Sequence, residues 1–211
     1  IKMPEGPEIF ILNKAINKYY GTSKTLAKGK HLYVLNESTN LYEDWSFGLS
    51  GTVLITEDNV LTKNGYGWAN GSIKLPTDTD SEKLGLDWLT CLKEDIKKEV
   101  DKWINSKKKL AGLMLDQGLI AGIGIAWGSE ILHKAGLKPD LRACDQNLTC
   151  LAEVIFEVRE KSKNIYDNYL DSSVNLKDFI NKWFNNLYEI RDMTIYKKGK
   201  KIEVLGRNWW V

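Results

Sequence analysis

Apolar residues recur at helical spacing near the amino terminus. Ile9, Leu12, Ala15, Ile16 and Tyr19 share one face of a segment from Pro7 to Tyr20, and Gly21 supplies a natural stop. From Lys24 to Pro76 the texture changes to short β-branched and aromatic runs, His31 to Leu35, Gly51 to Thr56 and Ser72 to Leu75, separated by Asn and Gly. Such runs predict an antiparallel sheet region. Thr77 to Ser81 is polar and turn-rich, which sets a boundary near residue 80. Ser81 to Arg191 then reads helical, most clearly over Asp95 to Asn105, Leu148 to Leu170 and Leu176 to Tyr188. Leu110 to Leu132 reads as two helices joined by a glycine-bearing turn at Ala121 to Gly124, and Met193 to Val211 returns to β character with Gly199 and Gly206 as turn residues.

Composition changes this picture little. With 211 residues, 43% hydrophobic, 27% charged and only 4 Pro, the chain is a folded globular protein of one domain or two small ones. Thirty Lys and Arg against 28 Asp and Glu leave +2, so a basic surface has to come from local clustering. Cys91, Cys144 and Cys150 form no CxxC pair, which supports neither a disulfide framework nor a zinc ribbon and points to a reducing, intracellular setting. No apolar run reaches the roughly 18 residues of a membrane span, and Ile1 to Phe10 lacks the build of a signal peptide. Asn147-Leu148-Thr149 matches a glycosylation acceptor but reads as chance beside a helix start.

Two segments carry candidate chemistry. In Met3-Pro4-Glu5-Gly6-Pro7-Glu8, removal of Met3 as an initiator would leave Pro4 with a free secondary amine. Such an amine attacks a sugar C1′ or an aldehyde to form an iminium, and a terminal pKa near 8 leaves part of it unprotonated at neutral pH. Glu5 beside it could shuttle protons. Prolines near a start also simply set up a helix N-terminus. In the second segment, the N–H groups freed at the turn holding Gly122 and Gly124 can grip a phosphate, whereas the plain alternative is a glycine-tight helix crossing.

Together these segments resemble the Fpg/Nei family of DNA glycosylases, and specifically endonuclease VIII. The resemblance rests on MPEGPEI at the start and on AGLMLDQGLIAGIG followed by SEIL, which looks like the family's helix-two-turn-helix. Further matches, in order along the chain, are Gly29-Lys30, Gly48-Leu49-Ser50-Gly51 and Gly206-Arg207-Asn208-Trp209-Trp210. The fold it implies is α+β with two domains. Residues 1–80 would be a reduced N-terminal β-sandwich with a leading helix, and 81–192 a helical domain with the helix-two-turn-helix. Residues 193–211 would be a zincless β-hairpin finger, with DNA in the cleft between domains.

The resemblance further implies a monomeric base-excision repair enzyme, DNA-associated and needing no cofactor, that removes oxidised bases, pyrimidines above all, and cleaves the strand by β,δ-elimination. Pro4 would attack C1′, Glu5 would transfer protons, and Lys30 would reach a phosphate or assist at the sugar. Leu49 would fill the void left by the extruded nucleotide, though a core leucine is as good a reading. Arg207 would bind phosphates flanking the lesion, with Lys198 among the cations Lys197, Lys198, Lys200 and Lys201 assisting. Four cysteines hold zinc in many members, but Met193 to Val211 contains no Cys or His, so strand pairing with Trp209 and Trp210 would have to hold the hairpin.

Three departures bear on activity. Ile125 stands where the family places an asparagine, and only 25 residues separate Pro4 from Lys30, so the sheet domain is short. Ile1-Lys2-Met3 precede Pro4, whose nitrogen as an amide has no available lone pair; Ile1-Lys2 reads as an appended remnant. The competing readings are a catalytically silent nucleic-acid- or lesion-binding protein of the same fold and a structural interaction module.

Overall fold

The computed structural model describes residues 4–47, 52–63, 68–73, 84–172, 175–182 and 191–211. These divide into two compact units, one formed by 1–83 with 163–191 and the other by 84–162 with 192–211. The α+β class is as expected.

The first unit opens with helix α1 (Gly6–Tyr20), which starts behind Pro4 and Glu5 and ends at Gly21, whose φ of 66° gives the left-handed turn that stops the helix. Its apolar stripe, Ile9, Ile11, Leu12, Ala15 and Ile16, is fully buried. Strands β1 (Thr25–Lys28) and β2 (His31–Asn36) follow and pack against α1, then β3 (Leu41–Ser46), β4 (Thr52–Ile55), β5 (Val60–Lys63) and β6 (Trp68–Ile73). They form a four-stranded sheet in the order β1-β2-β3-β6 and a separate β4–β5 pair, antiparallel throughout. Leu32, Val34 and Trp45 share one face of the larger sheet, since Leu32 lies opposite Trp45, and all three are buried.

The second unit holds β7 (Leu86–Asp87), α2 (Lys93–Trp103), α3 (Leu110–Leu115), β8 (Ile120–Ala121), α4 (Ile125–Lys134) and the hairpin β9 (Lys201–Val204) and β10 (Arg207–Trp210). Between Ser81 and Arg191 the structure therefore adds something the helical reading missed, a short parallel pairing of β7 with β8. Two-residue strands carry no periodicity for sequence to register. The two helices read within Leu110 to Leu132 are also further apart than expected. α3 ends at Leu115, and residues 116–124, with β8 inside them, make the connection.

Helix α5 (Leu151–Ser172) begins after Asn147, whose Oδ1 accepts the Thr149 N–H at 3.1 Å. The unit division falls inside α5, between Ser162 and Lys163. It assigns 163–191 to the amino-terminal unit, where the sequence pattern predicts one helical domain over 81–192. The physical reason is a set of buried polar contacts from Tyr166 and Arg191 to α1, described next. Among the described residues no helix is long and apolar enough to cross a membrane.

Candidate functional site

Pro4 and Glu5 are both buried at the start of α1, and the Glu5 N–H donates to Glu8 Oε2 at 2.7 Å. This belongs to a capping box, in which Glu8 in the first turn reaches back to the N–H of the capping Glu5 while the Glu5 side chain accepts the Glu8 N–H. Glu8 is itself 0% exposed and is held from far along the chain. Arg191 Nε donates to its Oε1 at 2.8 Å, Arg191 Nη2 lies 2.8 Å from its Oε2, and the Tyr166 hydroxyl donates to Oε1. Burial and the neighbouring Glu8 carboxylate push the Tyr166 phenol well above its ordinary value, so it remains a donor. Burial works against the Arg191 charge, but the carboxylates of Glu8 and Glu5 outweigh it and raise the guanidinium well above its usual range.

Sequence reasoning missed Glu8, Tyr166 and Arg191 as a group. The Glu5-to-Glu8 spacing was a readable signal, whereas nothing local marks Tyr166 or Arg191.

Lys30 lies in the same unit, with Gly29 in the two-residue turn between β1 and β2, where Lys28 pairs with His31. Gly29 has φ of 58°, a left-handed value that favours glycine and permits the tight reversal. Beside it, His31 Nδ1 lies 2.7 Å from Asp44 Oδ1. Leu49, with its Gly48 to Gly51 run, lies outside the described residues.

Gly122 and Gly124 occupy the turn before α4, Gly122 with φ of 98° and Gly124 as the residue capping the helix. The Gly122 N–H, expected to be available to a phosphate, instead donates to Gln117 Oε1 at 2.8 Å. Gln117 Nε2 donates in turn to the carbonyls of Leu115 and Ile123, both at 3.0 Å, so one amide side chain closes the turn from within. The Gly124 carbonyl accepts the Gly128 N–H at 2.8 Å.

The hairpin is fastened to α4. Glu130, almost fully buried, accepts the N–H groups of Thr194, Ile195 and Tyr196 at 2.8, 2.7 and 2.8 Å. Ser129 Oγ accepts the Trp210 N–H at 3.3 Å, and the Trp209 ring lies so close to Gly128 that a Cβ there would sit 3.2 Å from it. The SEIL run thus supplies a dock for the carboxyl terminus. Leu205 and Gly206, with φ of 53° and 70°, form the two-residue turn, and Arg207 follows as the first residue of β10, exposed and without an ion pair among the described residues. Lys198 is exposed at its surface but its Nζ is committed to the Met193 carbonyl at 2.5 Å. Among the described residues no group of three or more His, Cys, Asp or Glu could hold a metal.

The expected residues thus fall into two sets, Pro4, Glu5 and Lys30 in the first unit and Gly122, Gly124, Lys198 and Arg207 in the second. No family model matches the sequence, and no curated protein sequence matches it. Solved structures do. The Lactococcus lactis Fpg (MutM), determined with DNA containing an oxidised pyrimidine, superposes with a TM-score of 0.62 at 18% identity, over 98% of this chain and 97% of that one. MutM (Fpg) from Thermus thermophilus gives 0.63 at 14% identity over 98% and 96%. A MutM complex with DNA containing carbocyclic 8-oxo-G gives 0.62 at 18% over 98% and 97%. At such low identity these likenesses speak to architecture, and over nearly its whole length this chain has the fold of the Fpg/MutM DNA glycosylases.

Proposed function

We propose that the protein is a base-excision repair DNA glycosylase with AP lyase activity, of the endonuclease VIII-like kind with a zincless finger, acting as a monomer on oxidised pyrimidines in DNA. The observation that carries this reading is the start of α1: on an Fpg/MutM-like fold, Pro4 and Glu5 are backed by a buried Glu8 clamped by Arg191 and Tyr166. A buried, over-determined anchor of this kind suits a nucleophile that must be held in one geometry.

In a chain beginning at Pro4, the secondary amine attacks C1′ of an extruded nucleotide. The bond from C1′ to the base breaks, and the base leaves with a proton. With the base's proton supplied by Glu5, the single Pro4 N–H proton passes to O4′ as the C1′–O4′ bond breaks and the sugar ring opens, which leaves an iminium between Pro4 and C1′. Proton removal from C2′ then expels the 3′ phosphate, and removal from C4′ expels the 5′ phosphate. Glu5 is assigned the proton transfers. Lys30, in its tight turn, is assigned a phosphate or the sugar, and Arg207 the phosphates beside the lesion, its guanidinium suiting bidentate contact. Leu49 is assigned the void left by extrusion. Gly122 and Gly124 are assigned backbone contacts to phosphate, for which the Gly122 N–H would have to exchange its bond to Gln117 Oε1.

Borohydride trapping on an abasic-site duplex tests the reading. Protein beginning at Pro4 should form the covalent adduct, and protein retaining Ile1-Lys2-Met3 should not, since an amide nitrogen cannot form an iminium. Equal trapping by both would move the nucleophile to a lysine, Lys30 first. Trapping by neither, with DNA binding intact, would leave a silent binding protein of the same fold.

A further inference from the structure

Residues 106–110 run alongside 141–144 in a short antiparallel pairing. Leu110 N–H donates to the Leu141 carbonyl at 2.9 Å, Ala143 N–H to Lys108 at 3.0 Å and Cys144 N–H to Ser106 at 3.0 Å. These bonds flank Lys109 and Arg142, which stand directly opposite each other. That is the non-hydrogen-bonded position of an antiparallel ladder, where facing side chains come closest. Like charges at such a position repel and destabilise the pairing.

Lys107 and Lys108 extend the patch, and all four cations are exposed. None of them makes an ion pair among the described residues, although Lys93, Lys98, Lys102, Lys134 and Lys161 of the same unit all do. Among the described residues, the carboxylates nearest in sequence, Asp140 and Asp145, form no ion pair with them either. The patch also adjoins the hairpin. Leu205 Cδ1 lies 3.2 Å from where a Cβ on Gly112 would sit, and Gly112 is about one helical turn beyond Lys109, roughly 5 Å along α3. Arg207 is two residues past Leu205 in the chain.

We infer that Lys107, Lys108, Lys109 and Arg142 form a second DNA-backbone contact, continuous with the hairpin tip, that grips phosphates without reading sequence or lesion. Four unpaired cations, two of them held face to face against their mutual repulsion, fit a closely spaced row of anions. A phosphodiester backbone supplies one, and counterion release then makes the contact strongly salt-dependent. The inference rests on the DNA reading above but involves no residue assigned to its chemistry.

The test is equilibrium binding of the full chain to an undamaged duplex and to an abasic-analogue duplex across a salt series. The variants are Lys109→Gln/Arg142→Gln and Arg207→Ala, with melting temperature measured alongside. The double variant should weaken binding to both duplexes by the same factor and make the logarithmic salt slope shallower by about two, while its melting temperature stays the same or rises as the repulsion is removed. An unchanged slope in the double variant, with Arg207→Ala still shifting it, would overturn this inference and leave the DNA reading standing. Absence of DNA binding by the unaltered protein would overturn both. Unchanged DNA binding with loss of polyglutamate binding would overturn the DNA assignment in favour of an acidic protein partner.

Discussion

Glu8 in the first unit and Glu130 in the second both fasten residues from the far end of the chain, but by different chemistry. Glu8 does so with a buried ion pair to Arg191 reinforced by the Tyr166 hydroxyl. Glu130 does so by accepting three neutral backbone N–H groups, at Thr194, Ile195 and Tyr196. The difference lies in what is left when the carboxylate is lost. Removing Glu8 strands a charged guanidinium in the interior, whereas removing Glu130 leaves amides that water can reach once the segment lifts. The first device is all-or-none for its unit, and the second is graded and local.

The largest expected effect follows from that contrast. Glu8→Gln should destabilise the protein by about 3 to 5 kcal/mol in denaturant unfolding, the usual cost of breaking one side of a buried ion pair. Glu8→Gln combined with Arg191→Met should cost clearly less than the two changes summed, because the stranded charge is then gone. Additive losses would mean that the pair does not act as a unit.

Glu130→Gln should cost less, about 1.5 to 3 kcal/mol, since charge-assisted bonds are weakened rather than a charge orphaned. Amide hydrogen exchange should accelerate at residues 194–196 and leave α1 protected. Acceleration at both places would erase the distinction. A chelator should change neither melting temperature nor DNA affinity, because residues 193–211 contain no Cys or His and α4 provides the anchor. Stoichiometric zinc in purified protein would contradict this.

Smaller effects probe the two ends separately. Gly128→Ala should cost about 1 to 3 kcal/mol, as the added methyl meets the Trp209 ring at 3.2 Å. Leu205→Asn should stabilise by about 1 kcal/mol, because Leu205 holds a left-handed φ of 53° at a 62% exposed position in a turn type that favours Asn. Alkaline titration addresses the buried groups. Burial pushes the Cys91 thiol up to about 11, so Cys91 should resist alkylation at pH 8 while the exposed Cys144 and Cys150 react. With the folded value raised, its contribution to stability is complete below about pH 9 and declines as pH rises toward 11. Tyr166 should add a loss in the same direction above pH 10.

What could be read from sequence was local. The stripe from Ile9 to Ile16, the stop at Gly21 and the hairpin turn at Gly206 all declare themselves through spacing or through a residue that tolerates positive φ. Pro4 and Glu5 could be put forward for the same reason, lying within one short motif. The β7–β8 pairing left no period, and the Gln117 bond to Gly122 could not be foreseen from a glycine count, which made that N–H look available. Arg191 shows the limit most clearly. It lies 183 positions from Glu8, amid residues whose pattern gives no hint that one of them is buried and paired.

The unit division has a consequence for modularity. The first unit is discontinuous in the chain, and its 163–191 portion contributes Arg191, which neutralises Glu8, and Tyr166, which hydrogen-bonds it. The amino-terminal 83 residues are therefore not a transferable cassette. Truncation there, or fusion of that stretch to another protein, would carry Pro4 and Glu5 along but leave behind the countercharge that keeps their helix start in place. Exchange between relatives would have to move the two stretches together.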